Sequence, residues 1–152
     1  MKLNFIDNLL GSGFYTGYIP FASGTFGSLA GLLLYYIPGF EKPIIIIPAI
    51  VLFSIYGIYA GTQFEKAYGK DPSECTIDEV VGMWISLLFL PKILWVSLVV
   101  FLIWRLFDII KPFPARGLEK LKGGLGIMID DIISSFYVLL LVHLFILIYS
   151  SL

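Results

Sequence analysis

Charge is what this sequence has least of. Only 14% of its 152 residues are Asp, Glu, Lys or Arg, while 59% are hydrophobic. Soluble domains run nearer about 25% charged and about 45–50% apolar. An ordinary soluble surface is therefore excluded, and the chain reads as an integral membrane protein, short enough for a single domain over 1–152. Cysteine is nearly absent as well. Cys75 stands alone, which excludes an internal disulfide. Six positions on stands Val81 rather than arginine, which excludes a cysteine-phosphatase loop. With a net charge of −1 there is no polybasic character to draw nucleic acid. The one histidine, His143, lies inside the last apolar run and reads as packing. No Gly-x-Ser-x-Gly elbow occurs. Gly124-Leu125-Gly126 lacks the third glycine and preceding strand of a dinucleotide fingerprint. No cleavable signal peptide is evident.

What is present is a series of apolar runs. Leu3, Ile6 and Leu10 share a helical face and predict a short N-terminal interfacial helix. A first helix is expected over about 25–37, with Ser23 or Thr25 as its cap. Its Gly27 and Gly31 have the spacing that lets membrane helices approach closely, and they also suit self-association into a homo-oligomer. Run two is Ile44 to Gly61, followed by a polar stretch to Thr76. Thr76 and Glu79 have capping-box spacing. Run three, Val80 to Leu90, is shorter than a bilayer requires, and either spans or dips and returns. Run four is Ile93 to Ile110, and run five is Ile127 to about Ile148. The expected fold is all-α: a polytopic integral membrane bundle of about five apolar helices, one of them short or re-entrant.

If each run crosses once, nearly every unusual polar residue lands at one edge: Thr25 and Ser28, Asp78 and Glu79, Arg105, Asp108 and Lys111, Asp130 and Asp131. Lys2, Lys66, Lys70, Arg105, Lys111, Arg116, Lys120 and Lys122 fall there too, against Lys42 and Lys92 at the other edge. The positive-inside rule makes the charged edge cytoplasmic. A charge at a helix centre in the membrane costs roughly 2.5–3.5 kcal/mol on the insertion scale, so a concentration of them needs a reason. Crowded carboxylates repel one another, and a divalent cation relieves that repulsion. Arg105, Asp108 and Lys111 lie three apart and share a helix face. Arginine clamps phosphate oxygens and lysine supplies a point charge. Gly123, Gly124 and Gly126 allow close backbone approach, and the helix start that follows offers amides to an anion. These are the parts of metal-assisted phosphoryl chemistry.

Each part also has a plainer use. First-turn acids suit the helix dipole, Arg105 and Asp108 suit a structural ion pair, and the outlying lysines suit topology signals. Glu65, Asp71, Glu74 and Glu119 read as solvated. A cation-handling membrane transporter is the rival class, but it wants its acids near the midplane on broken helices.

Three blocks carry a resemblance. Pro20-Phe-Ala-Ser-Gly-Thr-Phe-Gly-Ser28, Asp78-Glu-Val-Val-Gly-Met-Trp84, and Arg105-x-x-Asp-x-x-Lys-Pro-x-Pro114 with Gly123-Gly-x-Gly-Ile-Met-Ile-Asp-Asp131 occur in that order over most of the chain. They resemble the phosphatidylglycerophosphatase A family. The departure is at Ala22-Ser23-Gly24, where the family often has a proline before the glycine. The resemblance implies a bacterial inner-membrane, Mg²⁺-dependent phosphatase with its active face cytoplasmic. Its substrate is phosphatidylglycerophosphate, which loses the terminal phosphate to leave phosphatidylglycerol; another membrane lipid phosphomonoester is the alternative. Asp78, Glu79, Asp130 and Asp131 are then expected to hold Mg²⁺. Arg105 and Lys111 are expected to bind phosphate beside Thr25 and Ser28, and, with Asp108 and Asp131, to take part in catalysis. Water and a carboxylate both remain open as the nucleophile.

Overall fold

A computed structural model describes residues 3–150, and Lys2, counted above at the charged edge, lies outside them. Six α-helices follow a short N-terminal segment: α1 Ser23–Tyr35, α2 Pro43–Tyr68, α3 Ile77–Ser86, α4 Leu94–Ile110, α5 Ala115–Leu118 and α6 Gly124–Ser150. No strand occurs among the described residues. α2 and α6 are long and apolar enough to cross a membrane. The outside of the bundle is largely hydrocarbon: Ile44, Leu52, Leu102, Ile109, Leu140 and Phe145 are all exposed.

The short third run lies at the centre of the molecule. α3 packs against α1, α2, α4 and α6, and every residue in it except Glu79 is buried. Its ten residues make a rod about 15 Å long, roughly half of a ~30 Å hydrocarbon core. Small residues let its neighbours close in. A Cβ at Gly82 would overlap the Trp104 ring of α4, and one at Gly31 of α1 would crowd the Val80 backbone. Trp84 Nε1 donates to the Gly31 carbonyl at 2.9 Å. The Gly27–Gly31 face of α1 is thus covered by Thr76 and α3 within one chain. It is not open for the self-association expected from its spacing. α2 and α6 cross in the same way, Gly61 lying against Gly124 and Gly57 against Met128.

Lys92 fixes one end of the bundle. Its ammonium donates to the Ile37 carbonyl (3.0 Å) and to Glu41 (2.8 Å), joining the α1–α2 turn to the α3–α4 connection. The opposite end therefore gathers the starts of α1, α3 and α6 and the ends of α2 and α4.

At that end the N-terminal segment forms a short helical turn, Asp7–Gly11, with Ile6 exposed and Asp7 buried. Tyr56 donates to Asp7 at 2.6 Å and holds that polar residue inward, which leaves Ile6 on the outer side, where an interfacial helix meets lipid. Two capping expectations fail there. Neither Ser23 nor Thr25 caps α1: the position before the helix is Ala22 in the left-handed region, and no side chain caps the end. The Thr76–Glu79 capping box does not form either. The Thr76 hydroxyl lies 3.1 Å from that of Thr16, and Glu79 belongs to the carboxylate cluster of the cavity described next.

Candidate active site

At this gathered end a cavity of about 390 Å³ opens between α1, α3, α4, α6 and the 71–75 loop. Asp78 and Glu79 enter it from the first turn of α3, and Asp131 enters from the second turn of α6. One ligand atom from each of these three carboxylates lies within 4.8 Å of the other two. Asp78 Oδ1, Glu79 Oε2 and Asp131 Oδ2 are buried without a hydrogen-bond partner. Buried polar atoms are almost always paired, and like charges this close repel. A hard divalent cation, which takes carboxylate and water oxygens, would satisfy all three at once. The donor set therefore fits Mg²⁺.

The opposite wall is basic. Arg105 Nη1 lies 2.6 Å from Asp108 Oδ2, its partner one turn along α4. It also donates to Ser28 Oγ at 3.3 Å. Ser28 is held in turn by Trp104 Nε1 at 2.9 Å. The guanidinium is thus fixed on two sides, while its Nε stays buried and unpartnered. Gly24 is the reason these groups can come together, since a Cβ there would overlap Glu79 Oε1 and the Arg105 guanidinium.

Lys111 follows the last residue of α4 with a positive φ of 49°. Its ammonium donates to Asp130 and lies 3.2 Å from Glu119. Burial works against the charged form, but the hydrogen bond and charge of Asp130 outweigh it, and the lysine pKa is raised. Lys111 thus brings positive charge to the cavity.

Several predicted residues stand elsewhere. Asp130 faces Lys111, while Asp131 joins Asp78 and Glu79. Ser28 is buried behind Arg105 and does not line the cavity, and neither does Thr25. The start of α6 is not free for an anion. Glu65, expected to be solvated, accepts from the Gly123 amide at 2.7 Å, and Thr62 accepts from the Gly124 amide at 2.9 Å. The glycines there serve the α2–α6 crossing. Sequence reasoning also missed Asp71, Ser73 and Cys75, which the loop folds back onto the cavity. Their only signal is their place just ahead of Asp78. Burial, with Glu79 nearby, raises the Cys75 thiol pKa and keeps it protonated.

The chain matches the family described as phosphatidylglycerophosphatase A over residues 9–146. It is 38% identical over 137 residues to a phosphatidylglycerophosphatase A of Escherichia coli, covering 88% of this chain and 80% of that protein. The corresponding Haemophilus influenzae protein is 37% identical over 145 residues, covering 89% and 85%. A Bacteroides thetaiotaomicron protein, described provisionally as a phosphatidylinositol-3-phosphatase, is 38% identical over 147 residues and covers 91% and 92%. No solved structure matches the chain.

Proposed function

The chain belongs to the phosphatidylglycerophosphatase A family, and from that premise we propose that it removes the terminal phosphate of phosphatidylglycerophosphate, leaving phosphatidylglycerol. The observation that carries the reading is the meeting of three carboxylates, Asp78, Glu79 and Asp131, each with one buried oxygen unpartnered, with Arg105 and Lys111 around one cavity. Acids alone would suit a cation and bases alone an anion; together they suit a phosphomonoester with its counter-ion.

Asp78, Glu79 and Asp131 are the residues that would hold Mg²⁺. When bound, the ion supplies positive charge to the phosphate oxygens and a lowered pKa to a water. Arg105 binds phosphate oxygens through its remaining N–H groups. Asp108 and Ser28 keep the guanidinium aimed, so Asp108 is a positioning residue. Lys111, held by Asp130 and Glu119, meets the charge that builds on the phosphate and the leaving glycerol oxygen. Water forms the new bond to phosphorus and gives up one proton to solvent, the phosphorus–glycerol oxygen bond breaks, and that oxygen takes a proton from solvent, so the products are inorganic phosphate and the free glycerol hydroxyl.

The apolar exterior suits antiparallel α1, α2, α4 and α6 set in a bacterial inner membrane, with the short α3 enclosed among them. Lys66, Lys70, Lys111, Arg116, Lys120 and Lys122 at the site end, against Lys42 and Lys92 at the other, make the site end cytoplasmic. Acyl chains stay in the bilayer and only the headgroup enters.

Phosphate release from phosphatidylglycerophosphate by purified protein tests the reading, with and without EDTA. We expect release that stops on chelation and returns with Mg²⁺. Absence of release in excess Mg²⁺ would overturn the substrate, and release indifferent to EDTA would overturn the metal. The Bacteroides relative favours a second substrate, phosphatidylinositol 3-phosphate, which belongs in the same assay.

A further inference from the structure

A second cavity, of about 470 Å³, adjoins the first. Ile110, Lys111, Phe113, Arg116, Gly117 and Lys120 line it. Lys111 lines both cavities, so this residue stands between them. Three of its six lining residues are cationic and none is acidic; Lys111 is paired with Asp130 and Glu119, which leaves Arg116 and Lys120 as the cations free of a carboxylate among the described residues. Arg116 Nη2 donates to the Ile110 carbonyl at 3.2 Å, which folds the guanidinium back against the end of α4. Phe113 is 90% exposed, and its carbonyl accepts from the Tyr137 hydroxyl at 2.9 Å. The apolar outer faces of α4 and α6 continue from this aromatic pair, through Leu106 and Ile109 on one and Leu140 on the other. An aromatic pair with cations beside it and apolar helix faces beyond it has the character of a membrane–water boundary.

The proposed substrate has two phosphates, a terminal monoester and a bridging phosphodiester, separated by one glycerol unit. The first cavity accounts for the monoester and leaves the second phosphate without a partner. We infer that the Lys111–Arg116–Lys120 cavity is the subsite for the bridging phosphodiester, and that it makes the enzyme selective for lipids whose leaving alcohol carries one. The inference rests on the proposed lipid phosphatase activity. Phosphate oxygens suit the bidentate fork of Arg116 and the point charge of Lys120. Phosphatidic acid, whose only phosphate is the one cleaved, gains nothing from this cavity.

Phosphate release is measured in neutral detergent micelles at fixed lipid mole fraction, for phosphatidylglycerophosphate and for phosphatidic acid. Two variants attack the subsite differently. Arg116→Gln/Lys120→Gln removes charge. Gly117→Leu fills space, since a Cβ at Gly117 meets nothing within 4 Å. Each is expected to raise KM for phosphatidylglycerophosphate about tenfold with kcat within about twofold, the loss of one or two charge-assisted contacts. Turnover of phosphatidic acid should stay within about twofold of wild type. Phosphatidylglycerol carries the phosphodiester alone. It should inhibit wild type competitively, with inhibition weakened about tenfold in both variants. Equal losses on both lipids would reduce the cations to general attraction for an anionic surface and overturn the subsite. Unchanged kinetics and unchanged phosphatidylglycerol inhibition would overturn it too. Wild-type protein inactive on phosphatidylglycerophosphate would overturn the functional reading, and the subsite with it, and is told apart by the wild-type assay alone.

Discussion

At the end of the bundle made by the α1–α2 turn and the α3–α4 connection, Lys92 is fully engaged. It bonds to Glu41 and the Ile37 carbonyl and sits over the rings of Tyr35 and Tyr36. No buried side-chain atom at that end lacks a partner among the described residues. At the opposite end Asp78, Glu79, Arg105, Asp130 and Asp131 each keep a buried polar atom unpaired. Both ends place charge at the edge of an apolar bundle, and only one leaves the hydrogen bonding unfinished. Charges that complete one another hold a fold together. Charges left incomplete in a buried place need something that is not protein, because the desolvation of a lone polar atom is otherwise uncompensated.

The most severe way to break this contrast is Asp131→Asn. The amide keeps the shape of the side chain and removes a charge from the carboxylate trio. Phosphate release should fall on the order of 10³-fold, as for loss of a group that stabilises transition-state charge. The variant should still insert and elute as wild type. Activity within tenfold of wild type would remove Asp131 from the metal set. Asp130→Asn should behave differently although the residues are neighbours. It frees Lys111 rather than the metal, so a loss of about tenfold is expected, with the Mg²⁺ concentration for half-maximal activity unchanged. If that concentration shifts with Asp130→Asn and stays put with Asp131→Asn, the two roles are reversed.

That pair also marks how far the sequence could be read. Acids and bases stood out because so little else is charged, and alternating helix directions return Asp78, Glu79, Arg105, Asp108, Lys111 and Asp131 to one end of the bundle. The choice between Asp130 and Asp131 was not legible. Adjacent helical residues point about 100° apart, and the rotation of α6 is set by its contact with Gly57 and Gly61 of α2. Those glycines carry no sign of their partner. The brevity of α3 was visible in the run that ends near Pro91. Its central position was not, because an apolar run looks the same whether lipid or protein surrounds it. Glu65 looked solvated for a similar reason: its partner, the Gly123 amide, is 58 residues away.

A milder perturbation acts between the two ends. Gly82→Ala puts a methyl group into the space of the Trp104 ring. Overpacking of this kind costs about 1–3 kcal/mol, to be read as a lower midpoint of thermal unfolding in detergent. Trp104 also holds Ser28, and Ser28 holds Arg105. Turnover should therefore drop several-fold at temperatures where the variant remains folded. An unchanged midpoint with normal turnover would show that α3 and α4 can separate without consequence, and that the dry middle does not brace the site.

The smallest effect belongs to Lys92→Gln, and it is the fairest test of the contrast because the far end has interactions to lose. The variant breaks the ion pair with Glu41 and takes the cation from Tyr35 and Tyr36. Glu41 then faces water, which solvates a carboxylate well, so nothing charged is stranded. The pair is half-buried and far from the site, and ion pairs at the protein edge contribute little, so phosphate release and KM should stay within about twofold of wild type. Glutamine can still donate to the Ile37 carbonyl and keep the two connections joined. If Lys92→Gln abolished activity in folded protein, charge at the finished end would be doing more than closing the bundle. Unpaired buried atoms would then no longer separate the working end from the structural one.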